Sequence, residues 1–294
     1  MVRSATFDTY GFHAPRVAHL VTIDAPRVTI IFEALYAELT RASMPIHPDI
    51  SVLLLIALAG LWAGTQNTLA GGGSFITFPA LLLAGLGPLA ANITSTVALF
   101  PNQITASLAG RDLAGGVTAL SLRRLFGLSI AGGVVGAVLL LETPASFFAR
   151  LVPWLVLFAT AVYAWGSFRN KPSADGHAMP MPLLAVAQFL IGIYGGYFGG
   201  GIGFLMLAAL TLAGQQARMA TATKNILAMA MNASAVAIFV FSGDVHWLPA
   251  LALALGGIVG ALLGGWLMHR LPERLLRGLV VLIGIALTVW LFIR

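Results

Sequence analysis

From Ile50 onward the chain alternates long apolar runs with short polar breaks. The runs are 50–70, 73–87, 89–110, 121–141 and 147–168, and then 181–200, 202–214, 217–241, 247–268 and 274–293. Most are close to the ~20 residues that an α-helix needs to cross a bilayer. None alternates apolar and polar residues as a membrane barrel strand does, so the pattern predicts helices. The second and seventh runs are short for a full crossing. The prediction is an all-α, polytopic membrane helix bundle in which these two segments are broken or re-entrant helices.

The runs fall into two related sets of five. The glycine triplet Gly71-Gly72-Gly73 stands before the second run, and Gly199-Gly200-Gly201 stands before the seventh, 128 positions later. Ala131-Gly-Gly-Val-Val-Gly-Ala137 matches Leu255-Gly-Gly-Ile-Val-Gly-Ala261. Pro144, Leu151 and Val152 match Pro272, Leu279 and Val280 at the spacing of the triplets. Several matches in one order predict a tandem duplication, with repeats at 44–168 and 181–294 and a linker at 169–180.

Loop charges orient the repeats. The loop after the third run carries Arg111, Arg123 and Arg124, while its counterpart after the eighth has Asp244 and no Lys or Arg. The loop after the fourth has only Arg150 beside Glu142, whereas its counterpart has Arg270, Arg274 and Arg277. Equivalent loops therefore fall on opposite sides by the positive-inside rule, which predicts inverted repeats, with Arg169 and Lys171 of the linker inside. This count puts the start of the first run outside. A tail holding Arg3, Arg16, Arg27 and Arg41 fits that position poorly. Residues 1–43 are read either as a disordered or interfacial tail, with 28–39 amphipathic, or as sequence upstream of a start at Met44. No cleavable signal sequence is visible in them.

Composition agrees with the pattern and narrows the chemistry. The chain is 59% hydrophobic and 9% charged, with a mean hydropathy of +0.94, too little charge to cover a soluble domain of 294 residues. The net charge of +6 resides mainly in short loops and sets orientation, so no nucleic-acid partner is expected. There is no cysteine, which excludes disulfides, thiol catalysis and cysteine metal sites. None of the six histidines lies mid-run, which argues against a buried haem. No carboxylate pair, nucleophile–histidine pair or metal-ligand spacing occurs inside the runs, so neither catalytic residues nor cofactor nor metal is predicted.

The remaining polar positions are candidates for binding a solute. The triplets, with Ser74 after the first, offer free amides and the positive end of a following helix, which suit an anion. Close helix packing accounts for glycines equally well. The third run opens Asn92-Ile-Thr94-Ser95-Thr96 and continues to Pro101-Asn102-Gln103, and the eighth opens Thr221-Ala-Thr223-Lys224-Asn225 and continues to Asn232. These hydroxyls and amides suit solute oxygens, or alternatively cap and cross-link helices. Gln66 and Asn67 are in the same position. Lys224 is the clearest ionisable side chain inside a run, where charge is costly and usually functional; the alternative is that it snorkels to an interface. Asp112 and Asp244 close equivalent runs and read as polar helix ends.

These residues resemble the TauE/SafE family of sulfite and organosulfonate transporters. The resemblance rests on Gly71 to Pro79 (three glycines, five residues, proline), on the Asn-x-Thr-Ser-Thr start at Asn92 and on Phe100-Pro-Asn-Gln103. In the second half it rests on the Gly199 triplet, Ala222-Thr-Lys-Asn225 and Gly243-Asp244. It spans roughly residues 50–294 and leaves the tail unmatched. It implies a multi-pass permease of the cytoplasmic (inner) membrane for sulfite, sulfonates or related carboxylates. Leu207 stands where Pro79 stands in the first half, so the half-sites are not equivalent. The expected function is secondary transport of a small anion by alternating access. The rivals are a passive anion channel, and a membrane enzyme or structural subunit. The expected partners are the lipid bilayer and the anion; the coupling ion, proton or sodium, and the oligomeric state are left open, since no embedded carboxylate is evident.

Overall fold

The computed structural model describes residues 49–69, 72–109, 111–117, 120–168, 179–267 and 273–293. The expectations for residues 1–43, for Gly71, for most of the linker, and for the arginines after the ninth run lie outside these or concern side chains outside them.

Ten α-helices follow one another among the described residues. They are α1 (Ile50–Leu69), α2 (Ser74–Leu83), α3 (Pro88–Ala109), α4 (Leu122–Glu142), α5 (Ala145–Phe168), α6 (Met181–Tyr197), α7 (Ile202–Leu212), α8 (Ala217–Phe239), α9 (Trp247–Leu267) and α10 (Glu273–Ile293). A short 3-10 turn, Arg111–Leu113, follows α3. By length and composition, α1, α4, α5 and α8 are able to span a membrane on the described residues alone. Their outward faces carry exposed Leu54, Leu58, Trp154 and Leu157, as a lipid-facing surface requires.

The short helices α2 and α7 end earlier than the apolar runs that predicted them. Both stop at the same turn. In α2 the amide of Gly85 donates to the Leu82 carbonyl (3.1 Å) and that of Leu86 to the Leu81 carbonyl (3.1 Å), with Gly85 at φ +93°. In α7 Gly214 donates to Thr211 (3.0 Å) and Gln215 to Leu210 (3.0 Å), with Gly214 at φ +91°. This pair of bonds closes a helix C-terminus around a left-handed residue, a conformation glycine adopts without strain. The apolar residues beyond it belong to the turn.

Packing joins the halves rather than separating them. Helix α1 lies along α9, and α4 lies along α6. Both contacts are made by glycines. A methyl on Gly60 or Gly64 would overlap the carbonyl of Leu253 or Gly257, and one on Gly256 or Gly260 that of Ala57 or Leu61. In the other pair, a methyl on Gly132 or Gly136 would overlap the carbonyl of Phe189 or Ile193. Lipid supplies no hydrophobic drive between helices, so close backbone approach and interhelical hydrogen bonds carry association. Thr65 Oγ1 reaches the Gly260 carbonyl at 2.9 Å, and Gln188 Nε2 donates to Ser129 Oγ at 2.8 Å. The contacts rise together along both chains, so each of these pairs is parallel.

Two other pairs are antiparallel. Asn225, early in α8, donates to the Ala106 carbonyl late in α3 (3.4 Å), while the His246 amide, beyond the end of α8, donates to Thr94 Oγ1 early in α3 (3.1 Å). Trp154 of α5 meets Phe292 of α10 edge-on with ring centroids 5.0 Å apart, and Thr160 packs on Gly284.

Candidate functional site

The two glycine breaks meet on one side chain. Phe75, at the start of α2, and Phe204, at the start of α7, both pack edge-on against Tyr163 of α5, with centroids at 5.5 Å and 4.5 Å. Gly72 has φ +86° and presses its Cα on the Tyr163 ring, 2.7 Å from where a Cβ would stand. Gly201 has φ +72°, caps α7, and faces the Ala159 carbonyl of the same helix α5. Here only glycine combines this backbone with such close neighbours. Tyr163 itself is fully buried.

Both breaks leave amides unpaired among the described residues, Gly73 and Ser74 at the first and four at the second. In α2 the amides of Phe75, Ile76 and Thr77 turn back onto Gly72 and Gly73. In α7 only Phe204 and Leu205 turn back, both onto Gly201. The amides of Gly200, Gly201, Ile202 and Gly203 make no hydrogen bond among the described residues, and neither break has a side-chain cap. A helix start with unsatisfied N–H groups carries a partial positive charge.

Lys224 lies against that start. A Cβ on Gly203 would stand 3.6 Å from both Lys224 Nζ and Cδ. The lysine is half-buried on α8, and among the described residues it has no hydrogen-bond or ion-pair partner. By helix rise, Lys224 is ~10 Å along α8 and the start of α7 is ~16 Å from the corner joining them, so a lysine stem bridges the levels. An ammonium beside a positive helix end, with no carboxylate near, is an arrangement that an anion stabilises.

The equivalent place in the first half is neutral. Ser95 stands there, and its hydroxyl shares a 2.6 Å hydrogen bond with Thr77 of α2, both buried. Thr96 bonds back to the Asn92 carbonyl (2.9 Å), and Asn92 donates to the Tyr197 carbonyl beside the second break (3.0 Å). Thr94 and Thr223 hold loops of the opposite half, through the His246 amide and Gly115, and Asn225 holds α3. Asn102 and Asn232 are buried; Asn102 Nδ2 and Gln103 Oε1 have no hydrogen-bond partner among the described residues. The structure thus brings Lys224 against Gly203, two residues beyond the second triplet, and spreads the other candidates along α3 and α8. Sequence reasoning passed over Tyr163, Gly203 and Gln215. Gly203 alone left a signal, as a fourth glycine two places after the triplet.

Apolar helices, two glycine-broken helices meeting on one tyrosine inside them, and a lysine at one break describe a multi-pass membrane transporter. Residues 56–291 match the sulfite exporter TauE/SafE family, and the chain belongs to it. It is 34% identical over 243 residues to "Probable membrane transporter protein ORF9" of Sinorhizobium sp, covering 81% of this chain and 91% of that one. It is 28% identical over 247 residues to a "Probable membrane transporter protein" of Haemophilus influenzae, covering 81% and 94%. It is 27% identical over 236 residues to "Probable membrane transporter protein YfcA" of Escherichia coli, covering 80% and 86%. No solved structure matches the chain.

Proposed function

We propose that this protein is a secondary transporter that carries a small oxyanion, a sulfur oxyanion or organosulfonate, across the cytoplasmic membrane. The observation that carries this reading is the Lys224 ammonium beside the unpaired amides at the start of α7. An oxyanion leaving water must replace several hydrogen bonds at once. The ammonium offers three donors and the Gly200–Gly203 backbone up to four more, enough for a group with several acceptor oxygens. A helix start and an ammonium also reject cations, so selectivity by charge follows from the same atoms.

The antiparallel pairs α3/α8 and α5/α10 support a reading of the halves as inverted repeats that rock about the breaks. Alternating access then consists of exchanging which end of the bundle is open. Purified protein in liposomes should show saturable flux of sulfite, thiosulfate or a small alkylsulfonate, accelerated by the same anion on the far side. Flux that rises linearly with concentration and ignores the far side would identify a passive channel instead.

The inverted reading fixes sides. A cysteine introduced at Ser121, beside Arg123 and Arg124, should resist an impermeant thiol reagent in intact cells, whereas Asp244→Cys should react. Because the parent chain has no cysteine, each label reports one site. Reaction of Ser121→Cys from outside would overturn the assignment.

A further inference from the structure

The loop after α3 is tied across the halves to the corner between α7 and α8. Thr223 Oγ1 donates to the Gly115 carbonyl (3.0 Å) and accepts from the Gly115 amide (3.1 Å). Gln215 Nε2 bonds the same carbonyl at 2.9 Å, the Gly116 carbonyl at 3.5 Å and Thr223 Oγ1 at 3.0 Å. Both side chains are buried, Thr223 completely. A methyl on Gly116 would stand 2.5 Å from the Leu120 carbonyl, so this loop fits its place only with glycine there. Gln215 follows the turn that ends α7, and Thr223 precedes Lys224. The cluster therefore sits at the corner between α7 and α8, one residue before Lys224.

The other end of the bundle is fastened more lightly. The equivalent threonine, Thr94, accepts a single bond from the His246 amide at 3.1 Å. The residue after the Gly85 turn, where Gln215 stands after the Gly214 turn, is Leu86. Gln215 also keeps its Oε1 buried without a partner among the described residues, an acceptor that opening to water would satisfy. A closed state held by several bonds at the cost of one unmet group is suited to release.

We infer that Gly115, Gln215 and Thr223 form a latch that shuts the α7–α8 end of the Lys224 site, so that this end opens only when the loop after α3 lets go. This rests on the anion-site reading of Lys224, but its test uses no anion. A single cysteine at Ala228, one turn beyond Lys224, is labelled with an impermeant maleimide in sealed vesicles of each orientation. Gln215→Leu and Thr223→Val should each speed labelling by about fivefold, the shift expected from losing one ordinary hydrogen bond, and only from the side of the Arg111 loop. Thr223→Ser, which keeps the hydroxyl, should label at the parent rate. Unchanged labelling in both variants overturns the latch, as does equal acceleration from both sides, which would report general loosening. Gln215→Leu copies the residue at Leu86, so it decides the matter if Thr223→Val does not fold. Labelling at the parent rate together with weakened anion binding by Lys224→Met would reject the latch and leave the site standing.

Discussion

Lys224→Met protein should insert and fold like the parent and lose sulfite or sulfonate flux by about tenfold or more. Methionine keeps most of the apolar stem against Gly203 and removes only the charge. A hydrogen bond to a charged group contributes roughly 1.5–3 kcal/mol, which converts to about tenfold or more in affinity. Lys224→Arg should retain weak binding with altered preference, since the planar guanidinium keeps the charge but changes its shape and reach. A snorkelling lysine behaves otherwise: Met would be tolerated and flux would be unchanged. Flux into liposomes at matched protein content, with the oligomeric profile as the folding control, separates the two.

Gly136→Ala and Gly260→Ala should each destabilise the fold by about 1–3 kcal/mol, the usual cost of overpacking a tight contact. These glycines hold matching places in the two copies of the Gly-Gly-x-Val-Gly-Ala motif. Each meets a backbone carbonyl of a helix from the other half, Ile193 for Gly136 and Leu61 for Gly260. A side chain at either position must push two helices apart, and no flexible neighbour can give way instead. Gly127→Ala, in the same helix α4 as Gly136, faces open space and should be neutral or stabilising by about 0.5–1 kcal/mol, as alanine usually is over glycine in a helix. Thermal unfolding in detergent ranks the three. Equal stability of Gly127→Ala and Gly136→Ala would mean that the motif does not carry the packing.

The apolar runs made the helices legible almost residue by residue, because span length is set by the bilayer and written locally. What the runs do not encode is which helix faces which. The Ala131–Ala137 and Leu255–Ala261 motifs were legible as a repeat, yet their partners, Gly60 and Gly64 on α1 and Gly192 and Gly196 on α6, are recognisable only once the helices are placed side by side. The same limit governs the site. A glycine triplet reads alike as a packing surface or an anion cradle; in the structure Gly72 presses on Tyr163, while the Gly200 and Gly201 amides are unpaired among the described residues. Thr94 and Thr223, polar in an apolar run, read alike as solute contacts or as groups that cap and cross-link helices. Their hydroxyls bond loops of the opposite half, partners more than a hundred positions away in sequence. Lys224 was the exception, because a charge within an apolar run is conspicuous without knowledge of its neighbours.

Binding of an anion between Lys224 and the start of α7 is measurable by calorimetric titration of purified protein with sulfite, a small alkylsulfonate and a small carboxylate. At least one of these should give a saturable isotherm with the parent chain, weakened by about tenfold or more in Lys224→Met. Superimposable isotherms for parent and Lys224→Met would contradict it.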